Sequence, residues 1–309
     1  MSNFTPEELG ERRLRLHASE WAAAIRCSPW ASPVDVWRDK LELDPPIEDN
    51  QAMEAGRRIE EVIAQWYADE TGLTLAPCGT KIHPEHPWIA ATPDRICWPQ
   101  DYPGGPFKIL ECKNVGLRSA HLWDGPPVHV LVQVIIQMAV TGIHSADIAC
   151  LIGGNDFRIY PVDWDPDLAA GLIEEGRKFW ELVVNHVEPP IDASDGFRRH
   201  LEEKFPANSA PLAEAPDAAG LIVQELIEAR AQIKDATERK QLAESQLKSL
   251  IGDRTGIESD RWIATWKKTS SGGIDWKGLA QALEPTEDQI EHHTRAGSRR
   301  FLFKERSKK

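Results

Sequence analysis

Asp94, Glu111 and Lys113 are the residues of this chain whose types and spacing could do chemistry. Asp94 ends the run PWIAATPD, and Glu111 ends the apolar run of FKILECKN. The Pro- and Gly-rich stretch between the runs predicts a hairpin-type connection between two strands. Alternation along a strand puts Glu111 and Lys113 on one face and Cys112 on the other. If the hairpin sets Asp94 beside Glu111, two carboxylates and an ammonium share one small volume. Close carboxylates repel, and a divalent cation with oxygen ligands removes that penalty. Mg²⁺ takes few carboxylates and keeps an open face for water and phosphate. Lys113, one strand step away, is placed to orient or deprotonate a water there, and its charge favours a phosphate. That set suits metal-assisted hydrolysis of a phosphodiester. A surface hairpin with an ordinary Glu-x-Lys ion pair accounts for the same residues without chemistry.

Three helical segments must position this cluster. Residues 51–71, QAMEAGRRIEEVIAQWYADET, have helical periodicity and stop at Gly72. Gly56 lies inside that helix at a cost of about 1 kcal/mol relative to alanine, which suits either a close approach to the backbone or a tolerated surface site. Glu60 follows one turn later and is the candidate third carboxylate, or else an exposed partner for Arg57; Glu61 competes with it. Residues 127–141 form a mostly apolar helix ending at Gly142, in which Gln133 and Gln137 share a face. A buried amide needs a partner, so Gln133 there would hold a carboxylate, the lysine or a phosphate; a solvent-exposed rim is the other reading. Near the start, Ser19 is expected to cap a short helix through Trp21 and Ile25. Ser32 caps a second with Pro33 at its first position. Ser28 and Ser32 could meet a phosphate at that helix N-terminus, although capping alone explains Ser32.

Elsewhere, residues 72–94 read as two strands joined through HPEHP, where His83 and His86 are either a turn or a metal pair. ADIACLIGG and DFRIYPVD predict a hairpin turning at GGND, followed by a helix from about 166 to 186. Residues 1–190 are expected to form the catalytic domain and 191–216 a loop-rich linker. Residues 217–309 then comprise a long helix, a small hairpin with a tryptophan at each strand and a short helix within RWIATWKKTSSGGIDWKGLA, and a basic tail. The long helix carries an interrupted apolar stripe through Ile222, Leu226, Ala229, Ile233, Ala236 and Leu247, too irregular for a coiled coil, and could pack on the body, pair with a neighbour or lie along DNA.

The formal net charge of −13 over 309 residues argues against a protein that coats nucleic acid non-specifically. It leaves room for an enzyme that meets phosphates through a locally positive channel. The five cysteines are unevenly spaced and lack a CxxC pair, as in reduced thiols rather than a disulfide frame or zinc site. No signal peptide or bilayer-length apolar run is expected, which points to the cytoplasm and to no membrane partner.

With these pieces in order, the chain resembles the YqaJ-like viral recombinase / phage lambda exonuclease family of the PD-(D/E)xK nuclease superfamily. The resemblance rests on SPWASPVDVW, AMEAGRRIE, HPWIAATPDRI, LECKN and VQVIIQMAVTG, and covers roughly residues 17–187. The ending, SLIGD followed by ATWKKT and DWKGLA, is similar to that of many phage members. The chain departs from the family at Val130, where an aromatic is common, and at Ile135 and Ile136, where the family is more polar. The resemblance implies an α/β, restriction-endonuclease-like core, a mixed central sheet flanked by helices, with a C-terminal helical and hairpin appendage. It implies that Asp94, Glu111 and the Cys112 backbone carbonyl hold Mg²⁺, with Mn²⁺ as a substitute. Lys113 would position the attacking water, Glu60 would help bind or orient a second ion, and Gln133 would support the site. Ser28, Ser32, Arg57 and Gln137 are candidate DNA contacts. The implied activity is 5′-to-3′ degradation of double-stranded DNA ends, leaving 3′ single strands for an annealing protein, in an enzyme that in some members is a ring-like trimer. A structure-selective or general endonuclease on the same core, and a non-catalytic DNA-binding or assembly protein, are the alternatives.

Overall fold

The computed structural model describes residues 5–45, 50–101, 104–207, 211–268, 276–283 and 285–293. They form two units, 1–205 and 206–309. The first opens with α1 (Pro6–Arg13), β1 (Leu16–His17), α2 (Ala18–Ala24) and α3 (Pro33–Lys40). The N-cap of α2 is His17 rather than Ser19: the Glu20 side chain accepts from the His17 N–H at 2.9 Å, while Ser19 lies within the first turn. Ser32 does cap α3, with Pro33 next, and Asp35 accepts from both the Ser32 N–H and its hydroxyl.

Next come α4 (Gln51–Thr71), β2 (Leu73–Ala76), β3 (Lys81–Ile82), β4 (Ile89–Ala91), β5 (Arg95–Pro99) and β6 (Lys108–Val115). Gly72 ends α4 in the left-handed region, φ 69°, where a side chain would be strained. A 3-10 turn at Leu117–Leu122 leads to α5 (Val128–Thr141), β7 (Ser145–Ile152), β8 (Asp156–Asp163), α6 (Pro166–Val184) and α7 (Asp195–Lys204). The central sheet has the order β2-β5-β6-β7-β8 and is mixed: β6 and β7 run parallel and the other pairs antiparallel. The expected hairpin at Gly153 and Gly154 joins β7 to β8.

The hairpin that carries Glu111 differs from the sequence expectation. Its first strand is β5, RICWP, and the WIAA run instead forms β4 in a separate sheet of order β1-β4-β3. Asp94 therefore lies in the link between β4 and β5, immediately before the hairpin. The reason is burial: Ile89, Ala90 and Ala91 are all fully buried, whereas β5 buries only Cys97 and leaves its other residues half-buried or exposed. Only the short β3–β4 connection runs through HPEHP. His83 Nδ1 accepts there from the N–H groups of Glu85 and His86 at 3.1 and 3.2 Å, which makes the histidine pair a turn.

The central sheet is covered on both faces. Helix α4 packs Ile63, Ala64 and Tyr67 against Cys97, Leu110 and Ala149. The opposite face meets α5, and α2 and α6 continue that core through Trp21, Met138 and Phe179. Trp21 Nε1 donates to the Leu172 carbonyl at 3.0 Å, and a Cβ on Gly176 would fall 2.1 Å from the Trp21 ring, so α6 approaches as closely as glycine permits. Within the stretch expected to be loop-rich, residues 195–204 form α7. Ser194 caps it, and Phe197 and His200 are buried against α3 and Trp37. Its short apolar stripe has too few repeats to stand out in sequence.

The second unit contains α8 (Ala219–Ile251), β9 (Gly256–Glu258), β10 (Ile263–Thr265), α9 (Trp276–Ala282) and α10 (Glu287–His293). The small hairpin pairs β9 with β10, so Trp262 and Trp266 flank one strand instead of occupying two. The basic stretch 295–309 lies outside the described residues. No described helix is long and apolar enough to cross a membrane.

Candidate active site

Strand β6 presents Glu111 and Lys113 to α5, and its intervening Cys112 packs on the α4 side, as strand alternation requires. Glu111 is 3% exposed. Its Oε1 accepts from Lys113 Nζ at 2.5 Å and from Gln133 Nε2 at 2.7 Å, while Oε2 accepts from Gln137 Nε2 at 2.7 Å. Lys113 Nζ also donates to Gln133 Oε1 at 3.1 Å. Two glutamines one turn apart on α5 thus clamp one carboxylate from the facing strand. Gln137 is fully buried and Gln133 half-buried, and a buried amide takes a protein partner in place of water.

Asp94 reaches the same strand from the other side of the hairpin: its Oδ2 accepts from the Cys112 N–H at 2.7 Å. Burial, then the Glu111 charge, push the Asp94 carboxyl well above the usual carboxylate range, with Lys113 and the Cys112 N–H opposing. For Lys113, burial disfavours the ammonium, but the Glu111 and Asp94 carboxylates outweigh it and hold the amine above its ordinary pKa. Two carboxylates therefore feel each other across a site with one ammonium between them.

Glu60 is near enough for its charge to register at Asp94 and Cys112, yet a residue the sequence reading passed over holds it. Arg95 Nη1 donates to Glu60 Oε1 at 2.8 Å and to the Asp94 carbonyl at 2.6 Å, and its Nη2 reaches Glu61 Oε2 at 2.6 Å. Its position directly after Asp94 was the available signal. Among the described residues, no group of three or more His, Cys, Asp or Glu side chains is arranged to hold a metal. The donors that do converge, Asp94, Glu111 and the strand backbone between them, are hard oxygens, the class Mg²⁺ takes with only one or two carboxylates. Burial, and after it the Glu111 charge, disfavour the Asp94 carboxylate, and a cation bound there would offset both. In donor chemistry the residues fit Mg²⁺.

Residues 9–144 match the YqaJ-like viral recombinase domain. This segment is homologous to that domain. The YqaJ-like segment contains all of Asp94, Glu111, Lys113, Gln133 and Gln137. A relative in Acanthamoeba polyphaga mimivirus, an uncharacterized protein, is 26% identical over 160 residues, or 48% of this chain and 29% of that protein. The match thus spans less than a third of that relative's length. Among solved structures, an alkaline exonuclease from Laribacter hongkongensis aligns with 64% of this chain and 100% of its own at 19% identity and a TM-score of 0.47. A phage-related exonuclease from Haemophilus somnus aligns with 58% of this chain and 98% of its own at 12% identity and a TM-score of 0.42.

The residues expected from sequence to touch DNA are scattered over the YqaJ-like segment. Gln137 is 1% exposed and bonded to Glu111, beneath the site rather than on a surface. Ser28 Oγ accepts from the N–H groups of Trp30 and Ala31, and Ser32 is 4% exposed and bonded to Asp35. Both serines line a cleft with the N-terminus of α7, and that cleft includes none of Asp94, Glu111 or Lys113. Arg57 is exposed on α4, three residues before Glu60.

Proposed function

We propose that this chain is a Mg²⁺-dependent deoxyribonuclease that degrades duplex DNA from 5′ ends and leaves 3′ single strands for an annealing protein. One observation carries the reading: Asp94, from the link before β5, accepts from the Cys112 N–H on β6 and feels the charges of Glu111 and Lys113 on that strand. Gln133 and Gln137 fix both oxygens of Glu111, and the Cys112 N–H fixes Asp94, so neither carboxylate needs to reorganise when a phosphate arrives. Asp94, Glu111 and the Cys112 carbonyl would hold the ion, Mg²⁺ or in its place Mn²⁺. Bound there, it supplies a Lewis acid for the charge that develops on the scissile phosphate. Lys113 orients the attacking water by donating to it, and its charge draws the phosphate in. Glu60 would help orient a second ion after exchanging its bond to Arg95. A ring-like trimer around the duplex is the assembly the family resemblance implies.

Lys113→Ala is expected to abolish Mg²⁺-dependent nucleotide release from end-labelled linear duplex while leaving DNA binding in place. Undiminished hydrolysis by that variant would remove the proposed centre. A general endonuclease on the same core would cut closed circular duplex as readily as linear, and the two substrates side by side separate the readings. A non-catalytic scaffold protein would have no use for an intact Asp94, Glu111 and Lys113 set.

A further inference from the structure

Helix α8 runs unbroken for 33 residues, about 50 Å at 1.5 Å per residue, and buries a single side chain among its described residues, Ile251. Helices in water draw most of their stability from packing an apolar face. This one packs almost none: Ile222, Ile233 and Leu250 are 68%, 66% and 65% exposed.

Many of its apolar positions follow a rule, although exposed Leu221 and Leu242 fall outside it and Leu226 is half-buried. From Ile222 to Leu250, steps of four and three residues alternate without a break. One row holds Leu226, Ile233, Lys240 and Leu247. The other begins and ends on Ile222 and Leu250 and has alanine at 229, 236 and 243. Only Lys240 interrupts the stripe. A 3.5-residue apolar repeat held over four heptads is the seam of a left-handed coiled coil.

We propose that α8 is a dimerisation helix whose partner is α8 of a second copy of this chain, parallel and in register. The charges beside the seam select this occupant. In a parallel in-register pair, Glu225 faces Arg230 of the other copy and Arg239 faces Glu244, and both contacts are of opposite sign. In the antiparallel pairing of greatest overlap, Glu225 would face Gln246 and Arg239 would face Gln232, so neither ion pair forms. Lys240 occupies one seam position, where an amine fits a two-stranded coil because its stem can carry it out to water. Nucleic acid is disfavoured as the occupant, because the acidic and basic residues of α8 balance at five of each. The inference does not depend on the nuclease reading.

The test uses the full chain. Light-scattering mass of the wild type is compared with that of a Leu226→Asp/Ile233→Asp variant at equal concentration, with circular dichroism reporting that the first unit stays folded. A two-fold fall in mass is expected, whatever assembly the first unit makes. Separately, oxidised Ile233→Cys should form a covalent dimer above the wild-type background, whereas Ala231→Cys, on the outer face, should not. An unchanged mass, a three-fold fall, or equal cross-linking at 231 and 233 would overturn the proposal.

Discussion

Gln137 Nε2 donates to Glu111 Oε2 at 2.7 Å from a position 1% exposed to solvent, and its own Oε1 has no partner among the described residues. The amide is thus spent on one carboxylate at the cost of a buried, unsatisfied oxygen. Gln137→Leu would remove that oxygen together with the donor that, among the described residues, alone bonds Glu111 Oε2. A buried charge losing a donor costs about 1–3 kcal/mol, so denaturant melts should show a net loss of stability, and nucleotide release should fall with it. A variant more stable than the wild type with full turnover would show that the bond has no positioning role.

Arg95 ties the Asp94 backbone to Glu60 and Glu61 through one guanidinium. Lysine cannot reproduce that fork. Arg95→Lys should therefore lower turnover nearly as far as Arg95→Ala, and should raise the Mg²⁺ concentration needed for half-maximal rate. Rescue by lysine to the wild-type Mg²⁺ dependence would reduce Arg95 to a simple counter-charge.

Asp94 is held against its preference for ionisation by burial and by Glu111. A raised folded pKa means the ionised carboxylate destabilises the fold, and stability falls as pH rises from the unfolded pKa toward the folded one. Asp94→Asn should melt higher than the wild type at neutral pH in chelator, and should lose both turnover and any rise in melting temperature on adding Mg²⁺. Equal melting temperatures in chelator, together with a retained Mg²⁺ response, would place the ion elsewhere.

His17 lies between β1 and α2, 6% exposed; burial, then Arg12, Lys40 and Arg15, lower its pKa from 6.5 to about 3. The unfolded chain takes up this proton below pH 6.5 and the folded chain only near 3. The contribution is complete above 6.5 and is lost as pH falls through that window, with a slope of up to about 1.4 kcal/mol per pH unit. Urea midpoints measured from pH 7 to 4 should fall for the wild type, and His17→Asn should show a shallower dependence. Parallel curves would show that another group carries the acid lability.

The sequence by itself determined what repeats over short distances. Gly72 and Gly142 ended their helices where the chain needs φ near +70°; the alternation Glu111, Cys112, Lys113 sorted side chains to two faces; and the GGND turn joined β7 to β8. Those features depend on backbone sterics and on neighbours a few residues away. Only the tertiary structure decided which strand Glu111 pairs with, that β6 runs parallel to β7, and that Gln137 lies beneath the site instead of on a surface. It also decided that Arg95 bonds Glu60. Each of those outcomes turns on burial shared between segments tens of residues apart, a quantity that no local pattern of residue types encodes.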